Sequence, residues 1–228
     1  MGYSYLKLKQ YKDASDALTE AKNLDPEKPE TLFFLGLAYA GSDKIDEAIE
    51  VLDLALKNGF EPKIYVEQKL AELHFLKGDY EKANEEYEKV ISMNSTDIDY
   101  FVRPIWVYID KLNQPDKAVK LAEKAMISHP DDPMSYNLVG WAQVAANDFI
   151  NGKKNLEKAL ALKENFDAPI LNLGWMYEKQ NNFSKAKEYY KKAYDLGLGT
   201  AVGDLAAQRY NSVLDKEKNG FFMVNIFN

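Results

Sequence analysis

The chain of 228 residues contains no cysteine and only two histidines. The first absence excludes disulfides, thiolate metal sites and cysteine nucleophiles together. The scarcity of histidine leaves little for acid–base chemistry, which needs paired groups in a shielded cleft. His74 has neither a cysteine nor the other histidine nearby in sequence and reads as a core or half-buried side chain. His129 precedes Pro130 in a turn and reads as a surface residue. Basic residues are also in deficit, 29 against 36 acidic, for a formal net charge of −7. Affinity for nucleic acid comes largely from Lys and Arg neutralising phosphate, so a nucleic-acid partner is not expected. No apolar run reaches the eighteen or so residues a membrane-spanning helix needs. The start, MGYSYLKLKQ, lacks the basic leader and apolar block of a secretory signal. Cysteine-free chains occur on both sides of a bacterial membrane, so cytoplasmic and extracytoplasmic locations both stay open. Gly197, Gly199 and Gly203 follow a helical pattern at the wrong spacing for a nucleotide loop. No catalytic residue, metal site or cofactor is expected.

What the chain does contain is a period. From Asp167 to Leu196, Pro169 sits where a helix starts without losing a hydrogen bond. Ile170, Leu173, Gly174 and Tyr177 then recur at helical steps. Asn181-Asn182 makes a turn, because Asn tolerates left-handed backbone. Ala186, Tyr190, Ala193 and Tyr194 form the apolar face of a second helix. The small residue of the first helix recurs as Gly2, Gly36, Ala71, Gly140 and Gly174, with Trp106 standing in between Ala71 and Gly140. The intervals are 34, 35, 35, 34 and 34 residues. Two further columns keep the same period: Ala14, Ala48, Ala83, Ala118, Gly152, Ala186, and Ala21, Ala55, Val90, Ala125, Ala159, Ala193.

On Leu173-Gly174, Tyr177, Ala186 and Tyr190, and on this period across nearly the whole chain, the sequence resembles the tetratricopeptide repeat family. The resemblance implies an all-α fold, a right-handed superhelix of about six helical hairpins. The units fall at 1–28, 29–62, 63–97, 98–132, 133–166 and 167–200, and a capping helix is expected over 201–218. The first unit lacks the start of its first helix, which favours a segment taken from a longer array, since end repeats need a polar cap. The fourth unit breaks the rules: Trp106 replaces a small residue and Pro104 removes an N–H, which predicts a helix that starts near Arg103 or kinks there. Gly152 replaces an Ala at up to about 1 kcal/mol of helix propensity. Residues 219–228 form an apolar tail fit to dock in a groove of this chain or a neighbouring copy.

The resemblance further implies a concave surface lined by first helices, where peptides or helices of partner proteins bind. The residues expected there are Tyr65, Tyr100, Arg103, Asn137, Trp141, Asn172 and Trp175. The same rule includes Phe33, Phe75, Val144, Leu171 and Glu178. Trp141 and Trp175, 34 residues apart, should be neighbours on one wall, and aromatic and Arg side chains dominate interface energies. Asn137 and Asn172 are placed to bond the main chain of an extended peptide. The Lys, Asn and Arg cluster with which some members grip a chaperone C-terminus is not matched, so the expected partner is a hydrophobic or mixed peptide. The leading function is thus a protein-interaction scaffold. The alternative is a soluble assembly module of a larger, membrane-anchored envelope or secretion protein, with self-association through the tail.

Overall fold

The computed structural model describes residues 1–94 and 96–226, with side chains as far as Glu217. Among these the chain is all-helical, without a strand, in two compact units, Met1–Val107 and Tyr108–Asn228. Unit 1 holds α1 (Gly2–Lys7), α2 (Tyr11–Leu24), α3 (Pro29–Gly41), α4 (Ile45–Lys57), α5 (Lys63–Lys77), α6 (Tyr80–Met93) and α7 (Asp99–Trp106). A π turn follows over Val107–Lys111. Unit 2 then holds α8 (Pro115–Ser128), α9 (Pro133–Ala145), α10 (Phe149–Leu162), α11 (Asp167–Lys179), α12 (Phe183–Leu196) and α13 (Ala201–Ile226). Within each unit consecutive helices pack against one another, and inner helices of neighbouring pairs touch, α1 with α3 and α11 with both α9 and α13. The side chains of the 219–228 tail, and with them its proposed docking, lie outside the described residues.

The small-residue column explains the pairing. A Cβ on Gly2 would lie 2.5 Å from Leu18, on Gly36 2.6 Å from Leu52, on Gly140 2.7 Å from Leu156, and on Gly174 2.6 Å from Tyr190. Each inner helix therefore lies directly on a large side chain sixteen residues later, and that side chain is buried in all four pairs. Full burial of one such leucine contributes about 2 kcal/mol. Gly152 belongs to the same logic: a Cβ there would meet Val144 at 2.9 Å, so its loss of helix propensity is offset by close approach of α9 and α10.

A fourth periodic column becomes visible in the turns. Lys9, Asp43, Gly78, Asn113, Asn147 and Asn181 all have positive φ, between 50° and 87°, at the intervals of the glycine column. Left-handed backbone ends each first helix and reverses the chain into the second. Only one of the six is glycine, so the others carry the modest strain of a Cβ in this region.

Five hairpins close with the same bond, an N–H reaching back five residues: Gln10 to Tyr5, Lys44 to Tyr39, Asp79 to His74, Asp148 to Gln143 and Asn182 to Tyr177. In the fourth hairpin Gln114 instead reaches back six, to Tyr108, at 2.7 Å. The π turn takes up that extra residue, as such turns do within α-helices. The helix neither starts at Arg103 nor stops at Pro104: α7 runs through the proline, whose carbonyl accepts a bond from the buried Asn84 amide at 3.1 Å. The register before the π turn is shifted by one. Ile105, not Trp106, is fully buried, while Trp106 is half-buried with its ring 5.6 Å from Phe75. Trp106 is thus not a member of the packing column.

Candidate functional site

In unit 1 the inner helices α1, α3 and α5 and the start of α2 enclose an open groove of about 870 Å³. Its apolar lining includes Tyr3, Phe34, Leu37, Tyr65 and Leu76. Tyr3 meets Phe34 edge to face at 5.1 Å. Tyr65 remains 56% exposed and Leu76 68%, large side chains that folding has not covered. Of the charges beside them Lys69 pairs with Glu72, and Lys7 lies 5.3 Å from the Tyr3 ring centre. Tyr65, one of the expected concave-face residues, lines this groove. Phe33 instead stacks on Phe60 at 4.3 Å and packs against the core.

Tyr100 and Arg103 project from α7, the first half-buried and the second exposed. The Arg103 guanidinium lies 5.2 Å from the Phe75 ring centre and 5.6 Å from that of Trp106. A cation is attracted to the negative face of an aromatic ring, so the three side chains form one flat, amphipathic patch across α5 and α7.

Behind this surface α5 carries a buried carboxylate, Glu67, 6% exposed. Burial and the neighbouring Glu86 push it up to about 7, partly opposed by Lys89. Lys89 lies 2.6 Å from Glu86 and 3.7 Å from Glu67, so one ammonium serves two carboxylates. Desolvation and Glu86 raise Asp53 as well. His74 is buried, its Nδ1 3.6 Å from Asp79.

In unit 2 the Asn pair is internal. Asn137 and Asn172 are 3% and 9% exposed, and the Asn172 amide donates to Asn137 Oδ1 at 2.9 Å. They tie α9 to α11 rather than standing free for a ligand's main chain. A buried amide must find a partner within the fold, and each supplies the other's. Val144 and Leu171 are likewise buried. Trp141 and Trp175 are both half-buried, on α9 and α11. Among the described residues no ring contact joins them. Trp175 instead has Lys179 Nζ at 5.1 Å and Arg209 at 5.9 Å from its ring centre.

Glu178, beside that ring in sequence, is 7% exposed and anchors α13. Tyr190, fully buried, donates its hydroxyl to Oε2 at 2.5 Å, and Lys216 reaches Oε1 at 2.5 Å. Arg209 stands 3.8 Å from Oε2. Burial and this carboxylate raise the Tyr190 phenol, which keeps its proton as a donor. No signal in the sequence marked Arg209 or Lys216 as partners of Glu178, since helix periodicity cannot show which neighbour covers a polar position.

Among the described residues no helix is long and apolar enough to cross a membrane. No curated protein matches this sequence. Solved structures share the fold. YrrB, a TPR protein with an unusual peptide-binding site, superposes with TM-score 0.55 at 18% identity, over 86% of this chain and all of its own. The C-terminal part of a TPR repeat-containing protein from Cytophaga hutchinsonii gives 0.64 at 16%, over 93% of both chains. MamA from Desulfovibrio magneticus RS-1 gives 0.56 at 19%, over 74% of this chain and 94% of its own. Folds of this kind are typically non-catalytic scaffolds for protein–protein interaction. Sequence models of the tetratricopeptide repeat match residues 1–59, 68–97 and 170–196, about half the chain, in step with the hairpins and the glycine column. The chain belongs to the tetratricopeptide repeat family.

Proposed function

We propose that the chain holds a peptide or helix of a partner protein on its inner helices, with the groove of unit 1 as the main seat. The observation that carries this reading is the uncovered apolar lining: Tyr65 and Leu76 are more than half exposed beside a groove of about 870 Å³. Rigid aromatic area of this kind contributes binding energy at small entropic loss, because few torsions are frozen on contact. Tyr100 and Arg103 extend the contact surface of unit 1, and Trp141 and Trp175 offer a second one in unit 2. YrrB, which shares the fold, has a peptide-binding site, and that likeness supports the same use of the fold here. A hydrophobic or mixed peptide suits the unit 1 groove, whose lining is largely apolar and whose Lys69 is already paired with Glu72.

The test is selection of peptides from a random display library on the full chain, followed by affinity measurement with Tyr65→Ala plus Leu76→Ser. Both side chains are exposed, so the unfolding midpoint should hold while affinity falls at least tenfold. Unchanged affinity would retire the groove. Trp141→Ala plus Trp175→Ala, measured with the same peptides, shows whether unit 2 takes part.

A further inference from the structure

We propose that unit 2 carries, beside Trp175, a subsite for an acidic side chain of the bound peptide; this deepens the interaction reading above and rests on it. The chain as a whole is acidic, yet the charge here is inverted. Around Trp175 stand Lys179 and Arg209, and the nearby carboxylate, Glu178, has Lys216 on it as well. Glu178 is already committed, with Tyr190 on one oxygen and Lys216 on the other. Arg209, at 3.8 Å, lies beyond hydrogen-bond distance of it and keeps its donors available.

Lys179 is the more telling residue. Among the described residues no carboxylate pairs with it, and its polar contact is the Ala145 carbonyl at the end of α9, at 3.4 Å. Half-burial without a counter-charge holds its ammonium below the usual lysine value. A charge withdrawn from water and left unmatched is unfavourable, and a carboxylate arriving from outside removes that penalty. Arg209 and Lys179 both lie within 6 Å of the Trp175 ring centre. A carboxylate set between them would place the neighbouring apolar side chain of the same peptide against the half-exposed indole. The subsite therefore reads an acidic residue next to an aromatic or aliphatic one.

The test uses two fluorescein-labelled peptides that differ only in Phe-Glu-Glu against Phe-Gln-Gln, titrated against the full chain by anisotropy. The Glu peptide should bind about tenfold more tightly at low salt, and the preference should shrink at high salt, where charge pairs are screened. Lys179→Gln and Arg209→Gln should each remove most of the preference, the Glu peptide losing far more affinity than the Gln peptide. Lys179→Arg, which keeps the charge, should retain it. Unchanged circular dichroism melts exclude unfolding as the cause. Equal affinities with both peptides, lost in the Tyr65→Ala plus Leu76→Ser chain, would overturn the subsite and leave the module standing. No binding of either peptide would also overturn the subsite, while library selection decides the module separately.

Discussion

Each unit buries one glutamate to the same degree, Glu67 at 6% and Glu178 at 7% exposed, and their surroundings are opposite. Glu67 faces another carboxylate, Glu86, and shares a single lysine with it. Glu178 faces a phenol, a lysine and an arginine. Equal burial therefore gives one group pushed up to about 7 and another that fastens α12 and α13 to α11. Depth alone does not decide what a buried carboxylate does; the partners around it do.

That contrast is most directly broken from the unit 2 side. Glu178→Ala should destabilise unit 2 by about 3 kcal/mol, because it strands the buried Tyr190 hydroxyl and removes the anchor of α13. Urea unfolding followed by tryptophan fluorescence measures it, and a loss under 1 kcal/mol would show that the anchor contributes little. Gly174→Ala attacks the same layer through packing. The new methyl would sit 2.6 Å from the Tyr190 ring and displace the donor to Glu178, at about 2 kcal/mol by the usual penalty for overpacking.

Glu67→Gln sharpens the contrast from the other side and should stabilise. The folded value of about 7 lies above the ordinary 4.5, so between these the folded chain keeps a proton that the unfolded chain has released. Stability from this group is complete below pH 4.5 and is lost as the pH rises through 7. The Gln variant should therefore match the parent at pH 4 and exceed it at pH 8 by about 1 kcal/mol, read from paired denaturation curves. A gain of equal size at both pH values would sink the explanation. Smallest of all is Lys216→Met, whose side chain is half in water; its loss should stay below about 1 kcal/mol and shrink with added salt.

Much of the fold was legible because close packing leaves a mark that recurs. Gly36, Gly140 and Gly174 must be small, since Leu52, Leu156 and Tyr190 lie against them, and that demand repeats with every hairpin. Gly78, Asn113, Asn147 and Asn181 are residue types that favour left-handed backbone, and the turn at Asn181 was legible on that ground. Lys9 and Asp43 take the same conformation with little in their chemistry to announce it, because the closing bonds of the hairpin impose it. The fourth hairpin was misread for a related reason. A spacing of 35 residues is compatible with two registers, and only the π turn reveals that Ile105 faces inward in place of Trp106.

For the candidate site the division is sharper. Tyr65 lines the unit 1 groove and stays more than half exposed. Asn137, Asn172 and Glu178 share the inner-helix pattern and are nevertheless buried, two joined by a hydrogen bond and the third held by Tyr190 and Lys216 with Arg209 3.8 Å away. The sequence by itself determined the helices and, at Gly2, Gly36, Gly140 and Gly174, the small-residue contact within the pair, since these depend on local period and on residues a fixed distance apart. Tertiary structure alone decided which polar side chains on the inner helices meet solvent and which meet one another. That choice depends on how near the next hairpin lies, and a distance between two hairpins is not written in the period of either.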